Sequence, residues 1–397
     1  MRSIEEAQNT ILAEVRETGI DAIPLDHCAG RVPAIFVVAA AGDVPPFDNS
    51  SMDGFALRAA DAPGRLRLIG EVAAGSATLP RVEAGAAVRI MTGAPMPPGT
   101  DAVVPIEDAR EAEDTVEVPA VERGAYVRAA GHDTRSGEEV ELPAEPLGPA
   151  GIAVLASLGL GSLAVRRRPR VAILSTGDEL RDPGADLAPG QIHDANGPSL
   201  AAAVGDAGGE AVLLSRVGDD AARIEEQVRA AVPLADLLVV SGGVSVGSHD
   251  HVREVIERLG RLELWRIRVQ PGKPLAFGAV DGLPVLGLPG NPVSALVTFE
   301  LFARPLIRRM LGLSGSGRAL LPVVAVDRMA KDPDRRAYLR VVVVQAPGGL
   351  EARSAGGQAS SQLRPLATAN ALLLVPEGEP AAEAGRTYDA LLLGGIG

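Results

Sequence analysis

Cys28 is the only cysteine among 397 residues. One thiol excludes an internal disulfide framework, a thiolate zinc site and an iron–sulfur cluster ligated by a single chain, and a chain so poor in cysteine reads as cytoplasmic. Aromatic side chains amount to 3% of the residues, too few to build stacking platforms for single-stranded nucleic acid. Positive charge is also in deficit, with a formal net charge of -13. A general nucleic-acid binder presents Lys and Arg to the phosphates, so no nucleic-acid partner is expected and any anionic ligand must be held by local groups. No stretch approaches the roughly 20 apolar residues that span a bilayer. The first 18 residues carry Glu5, Glu6, Glu14 and Glu17 without an apolar run, unlike a signal or transit peptide. A soluble protein without a membrane partner is expected.

Hydrophobic residues at 46% and charged residues at 22% fit a folded globular chain, and this length predicts two to four domains. Ser3 and Glu6 form a capping-box pattern ahead of Ile4, Ala7, Ile11 and Val15, which predicts a helix over residues 3–18. Val44-Pro45-Pro46-Phe47 then marks a boundary. Short runs at Leu66–Ile69, Ala86–Met91, Ala102–Pro105 and Thr115–Val118, with Gly, Pro and Asp between them, predict a small β-rich domain over 46–133. Leu147 to Leu163 reads as helical, so residues 1–45 and 134–168 are expected to form one discontinuous helical linker domain. Arg166, Arg167 and Arg168 read as a solvated linker rather than an anion site.

From Val171 the pattern alternates strand and helix. Val171–Leu174, Ala211–Leu214, Leu237–Val240 and Val285–Leu288 are short apolar runs. Helical spacing appears at Ser199–Ala207, Ala221–Ala231, Val252–Leu259 and Pro292–Met310. This predicts an α/β domain over 169–312 with a buried parallel sheet. Strand-like runs at Val323–Val326, Tyr338–Val344, Ala371–Val375 and around Leu391 predict a C-terminal β domain over 318–397. The fold class is therefore multidomain α/β.

Ligands of open α/β sheets bind beyond the carboxyl ends of the strands. The residues found there are Thr176 and Gly177; then Ser241, Gly242, Gly243, Ser245 and Gly247; then Pro289, Gly290, Asn291, Pro292 and Ser294. Glycine lets backbone N–H groups approach a phosphate, with Asn291 placed to cap a helix that begins at Pro292. One such loop could be only a tight turn, but three at successive strand ends point to a phosphorylated ligand. Glu179, Asp194 and Asp250 accompany these loops, and acids beside a phosphate call for a bridging hard cation such as Mg²⁺. Asp219 and Asp220 read equally well as solvent-facing acids. Lys273, fixed between Gly272 and Pro274, reads as a positioned charge facing an anion.

Ser-Thr-Gly-Asp-Glu-Leu (175–180), Ser-Gly-Gly-Val-Ser-Val-Gly (241–247), Pro-Gly-Lys-Pro (271–274) and Gly-Leu-Pro-Gly-Asn-Pro-Val-Ser (287–294) resemble the molybdopterin molybdenumtransferases, the MoeA and gephyrin E-domain family. Pro46 to Ala56 and Arg89 to Pro95 resemble two further signatures of that family. The resemblance implies insertion of molybdenum from molybdate into adenylylated molybdopterin with release of AMP, Mg²⁺ dependence and an elongated homodimer, with other molybdenum-cofactor biosynthesis enzymes as candidate partners. By match to its motifs it gives Asp53 and Thr92 catalytic roles, completing the cleft from a partner subunit; catalytic roles are expected also for Glu179, Asp250 and Lys273, with Mg²⁺ held by Glu179 or Asp250 and Lys273 offsetting negative charge. It adds Asp194, Asn196, Arg266 and Arg268 to the substrate-binding set. The sequence departs from the family pattern at Gln270, where Lys is common, and at Ser361 and Pro365, where His and Ser are expected. A stand-alone adenylyltransferase, or a protein sharing only the central domain, would lack the Pro46–Ala56 segment. A gephyrin-like scaffold would carry a long linker that is absent here.

Overall fold

The computed structural model describes residues 1–243, 251–315 and 317–396. The chain falls into two compact units, Met1–Asp21 with Arg166–Gly397, and Ala22–Val165.

In the first unit the central sheet contains β1 (Arg170–Ser175), β2 (Glu210–Leu213), β3 (Leu237–Ser241), β4 (Gly260–Arg266), β5 (Pro274–Val280) and β6 (Leu283–Leu288). Its order is β2-β1-β3-β6-β5-β4. The first four are parallel, as their unbroken apolar runs predict, whereas β5 and β4 are added antiparallel. Ala172, Leu174, Leu238, Val240 and Val285 share one core with the helices Ala221–Ala231 and His251–Leu259. The order reverses at β1, with β2 on one side and β3 on the other, which opens a crevice at their carboxyl ends.

Residues 292–310 read as one helix, but the structure has Pro292–Thr298 and Arg304–Met310 joined by a widened π turn, Phe299–Ala303. The N-terminal helix, Ile4–Ala13, forms the expected capping box and buries Ile4, Ala7 and Ile11. It packs against the 299–310 segment, and Gln8 Nε2 donates to the Leu301 carbonyl at 2.7 Å. This corrects two expectations. The helix stops short of residue 18 because Thr18 is drawn into bonds with the Met310 and Arg167 carbonyls. It also belongs with the α/β unit, which includes residues 166–168, and not with residues 134–165. Arg166 and Arg167 are not a solvated linker either. Arg167 forks onto Asp236 at 2.9 and 2.7 Å, and Arg166 pairs with Glu17.

Beyond residue 319 the strands Arg336–Ala346, Gly349–Ser354, Leu320–Ala325, Thr387–Leu392 and Ala371–Val375 follow one another in the sheet. The last pairs back onto Arg336–Ala346, closing a small barrel. Val269–Gln270, in the β4–β5 connection, adds to the barrel strand at Arg336–Ala337, which joins the two parts of this unit.

The second unit holds a six-stranded sheet in the order Ala102–Pro105, Gly54–Leu57, Ala86–Ile90, Gly64–Val72, Thr115–Val118, Arg110–Ala112. Gly54 is required there, since a Cβ would lie 2.1 Å from the Val104 carbonyl oxygen. A separate core gathers Cys28, Val38, Leu142, Leu147, Leu155 and Val165 around the helix Pro149–Ser157.

Candidate functional site

The carboxyl ends of β1, β3 and β6 open on a cleft of about 990 Å³. Thr176 and Gly177, Ser241 to Gly243, and Pro289 to Asn291 line it, with Pro292 and Ser294. The glycines are conformationally required. Gly242 and Gly243 have φ of +91° and +62°, and a Cβ on Gly243 would lie 2.4 Å from Val252 Cγ2. The Gly242 N–H donates to the Leu288 carbonyl at 3.3 Å, tying two of the loops together. Ser245, Gly247 and Asp250 lie outside the described residues.

Asn291 occupies the position before helix Pro292–Thr298 but makes no capping bond. Its Nδ2 instead reaches Ser360 Oγ of the barrel at 3.4 Å. Asn196 Nδ2 donates to Ser241 Oγ and to the Gly290 carbonyl, both at 2.7 Å. Asp194 is buried, and its Oδ1 accepts the N–H groups of Asn196 and Gly197 at 2.9 and 3.0 Å. It holds the start of helix Asn196–Asp206 and is not free to take a cation with that oxygen.

Glu179 and Asp219 are exposed acids on the cleft wall. Asp220 is a helix cap, accepting from the Ala222 and Arg223 N–H groups. No three His, Cys, Asp or Glu side chains gather as a metal cage among the described residues. Two exposed carboxylates nonetheless suit Mg²⁺, which uses one or two carboxylates together with substrate phosphates.

Lys273 lines the cleft and is exposed, with no ion pair among the described residues. The backbone that carries it is packed down: Gly272 has φ of +105°, and a Cβ there would lie 2.4 Å from Thr298 Cγ2. Gln270, the departure from the family pattern, turns its Oε1 to accept the Asp332 N–H at 2.9 Å. Asp332 in turn takes Arg335 Nε at 2.7 Å, and Arg335 also lines the cleft. Sequence reasoning missed Arg335, which arrives from the barrel with no local signal. It chose Arg266 and Arg268 instead, and neither lines the cleft. Arg266 borders a separate surface hollow with Arg2 and Trp265. Arg268 donates to the Met1 carbonyl at 2.7 Å and faces Glu377. Arg266 pairs with Pro274 across the β4–β5 ladder, so nearness in sequence to Lys273 does not bring the side chains together.

In the second unit Asp53 precedes strand Gly54–Leu57 and Thr92 follows strand Ala86–Ile90. The antiparallel register of Gly54 with Ile90 brings them together. Asp53 Oδ1 accepts Thr92 N–H at 2.6 Å and Thr92 Oγ1 at 2.7 Å. The Thr92 backbone and then its hydroxyl hold this carboxyl below the usual aspartate range.

Residues 2–159 match the MoeA N-terminal region (domains I and II), residues 172–309 a probable molybdopterin binding domain, and residues 322–393 the MoeA C-terminal region (domain IV). Molybdopterin molybdenumtransferase 2 of Mycobacterium tuberculosis is 37% identical over 95% of this chain and 96% of its own. The chain belongs to the molybdopterin molybdenumtransferase family. The Haemophilus influenzae member is 34% identical over 98% of this chain and 97% of its own. A solved molybdopterin biosynthesis MoeA protein from Pyrococcus horikoshii superposes with a TM-score of 0.84 at 32% identity, covering 100% of both chains. The protein is accordingly a transferase with the MoeA multidomain fold.

Proposed function

We propose that this transferase inserts molybdenum from molybdate into adenylylated molybdopterin, releasing AMP, within molybdenum cofactor biosynthesis in the cytoplasm. The observation that carries this reading is the convergence of three strand-end loops, Lys273 and Arg335 on one cleft, in a chain of this family. Cleaving the phosphoanhydride requires a positioned oxygen nucleophile and neutralisation of the charge that develops on the phosphates. Backbone N–H groups of Gly243, Gly290 and Asn291 cradle the phosphates, and Lys273 and Arg335 offset their charge. The second substrate, molybdate, supplies the attacking oxygen, and the dithiolene sulfurs belong to the pterin substrate, so a single cysteine suffices. Glu179, which lines the cleft as Asp219 does, would hold Mg²⁺, which would supply further charge neutralisation at the diphosphate; Asp250 is the other expected ligand. Asp53 and Thr92 are assigned to the same reaction through a homodimer, as the family resemblance implies.

The test is AMP release by the purified protein given adenylylated molybdopterin, Mg²⁺ and molybdate. Release should be strongly protein-dependent, and Lys273→Ala should lower the rate by about 100-fold, the effect of removing one preorganised charge-stabilising group. AMP appearing no faster than in protein-free buffer would remove the insertion assignment.

A further inference from the structure

Asn196 begins helix Asn196–Asp206, which lies between β1 and β2 in the chain, and only 8% of it is exposed. Gly290 offers it a carbonyl, which can only accept, so the atom facing Gly290 is the amide nitrogen and the orientation of the carboxamide is fixed. Both hydrogens of that nitrogen are then committed, one to Gly290 in the loop after β6 and one to Ser241 at the end of β3. Oδ1 is left as the atom without a hydrogen-bond partner. An acceptor oxygen repels a phosphate, so Asn196 has no donor left with which to hold one. The rest of the segment is equally committed. Asp194 Oδ1 fixes the Asn196 and Gly197 N–H groups, and a Cβ on Gly197 would lie 2.7 Å from Asp194 Oδ2.

We propose that Asn196 is a positioning residue, not a phosphate ligand: its amide nitrogen clamps the β3 loop to the β6 loop and thereby sets the width of the phosphate cradle. The loops it joins both line the cleft, and the Gly242–Leu288 bond that bridges them lies beside the clamp. The inference rests on the reading of the cleft as the binding place of an adenylyl-bearing, phosphorylated substrate. It corrects the role that the family resemblance suggests for this residue.

The experiment compares wild type, Asn196→Ala and Asn196→Asp. Amide hydrogen exchange is followed in the unliganded protein over 237–243 and 283–291, and AMP affinity is measured by calorimetry. Losing two hydrogen bonds of ordinary strength is expected to speed exchange at Gly242, whose N–H is bonded to the Leu288 carbonyl, by roughly tenfold or more and to weaken AMP by a similar factor. Asn196→Asp should be worse than Ala, because it sets an oxygen against the Gly290 carbonyl. Ser241→Ala removes a single acceptor and should give roughly a threefold change, which keeps the test open if the Asn196 variants do not fold. A ligand role would weaken AMP while leaving exchange in the unliganded protein unchanged; that result, or no change in either measurement, overturns the proposal. Since exchange is read without substrate, failure of the insertion reading would show separately, as absence of AMP release by wild type.

Discussion

Gly272→Ala tests whether the backbone under Lys273 is held by contact with the helix behind it. Two effects add. An L-residue at φ of +105° is strained by about 1–3 kcal/mol. The new methyl also lies 2.4 Å from Thr298 Cγ2, and overpacking of this kind costs about 1–3 kcal/mol more. Thr298 is fully buried, with its hydroxyl bonded to the Ser294 carbonyl at 2.6 Å, so it cannot swing away without breaking that bond. Thr298→Ser keeps the hydroxyl and deletes the obstructing methyl. In that background Gly272→Ala should retain only the backbone cost, so the substitutions couple by about 1–3 kcal/mol. Trp265, the sole tryptophan, is buried on β4, which pairs with β5 directly after Lys273. Its fluorescence during urea unfolding therefore reports on this domain. If Gly272→Ala unfolds at the wild-type urea concentration, or costs as much stability in the Thr298→Ser background as in the wild-type one, the packing argument fails.

Glu300 sits in the π turn, where Arg304, 4% exposed, and Arg318 both donate to it. Glu300→Ala leaves the buried guanidinium with Asp206 alone and should cost about 3 kcal/mol or more in urea unfolding; a loss below about 1 kcal/mol would mean that water reaches the site. Burial alone would raise the Asp206 and Asp236 carboxyls, but Arg304 and Arg318 at the first, and Arg167 at the second, outweigh it and hold both below the usual range. Carboxyls depressed in the folded state contribute stability in full above the unfolded aspartate value of about 3.9 and lose it as pH falls through their folded values. The melting temperature should therefore hold steady down to about pH 5 and drop as pH falls below about 4, with Asp236→Asn flattening part of that drop. A drop that begins near pH 6 would point to other groups.

The parallel core of the α/β domain was legible in the sequence because strands buried on both faces read as continuous apolar runs. β4 was not, because its alternating pattern, Gly260-Arg261-Leu262-Glu263-Leu264-Trp265-Arg266, belongs to a sheet edge and directly follows a helix. Strand Gly54–Leu57, buried at all four positions, was hidden inside a functional signature. The glycine loops and Lys273 were visible because backbone demands and rigid flanks are local. Arg335 and the clamp at Asn196 were not, because each depends on contacts across 45 or more positions. The cap expected of Asn291 failed for the same reason: Ser360, 69 positions away, competes for its side chain.

The unit Ala22–Val165 is inserted into the first unit, and this separates the two in time during synthesis. Once residue 165 has left the ribosome, the inserted unit has every partner its own sheet requires. Helix Ile4–Ala13, made before either partner, must wait for Leu301, and Glu5 for Arg336. At about 5–20 residues per second that delay amounts to tens of seconds, during which Ile4, Ala7 and Ile11 have no core to enter. The capping box at Ser3 and Glu6 uses only neighbouring residues, so it can hold the helix's first turn through the wait.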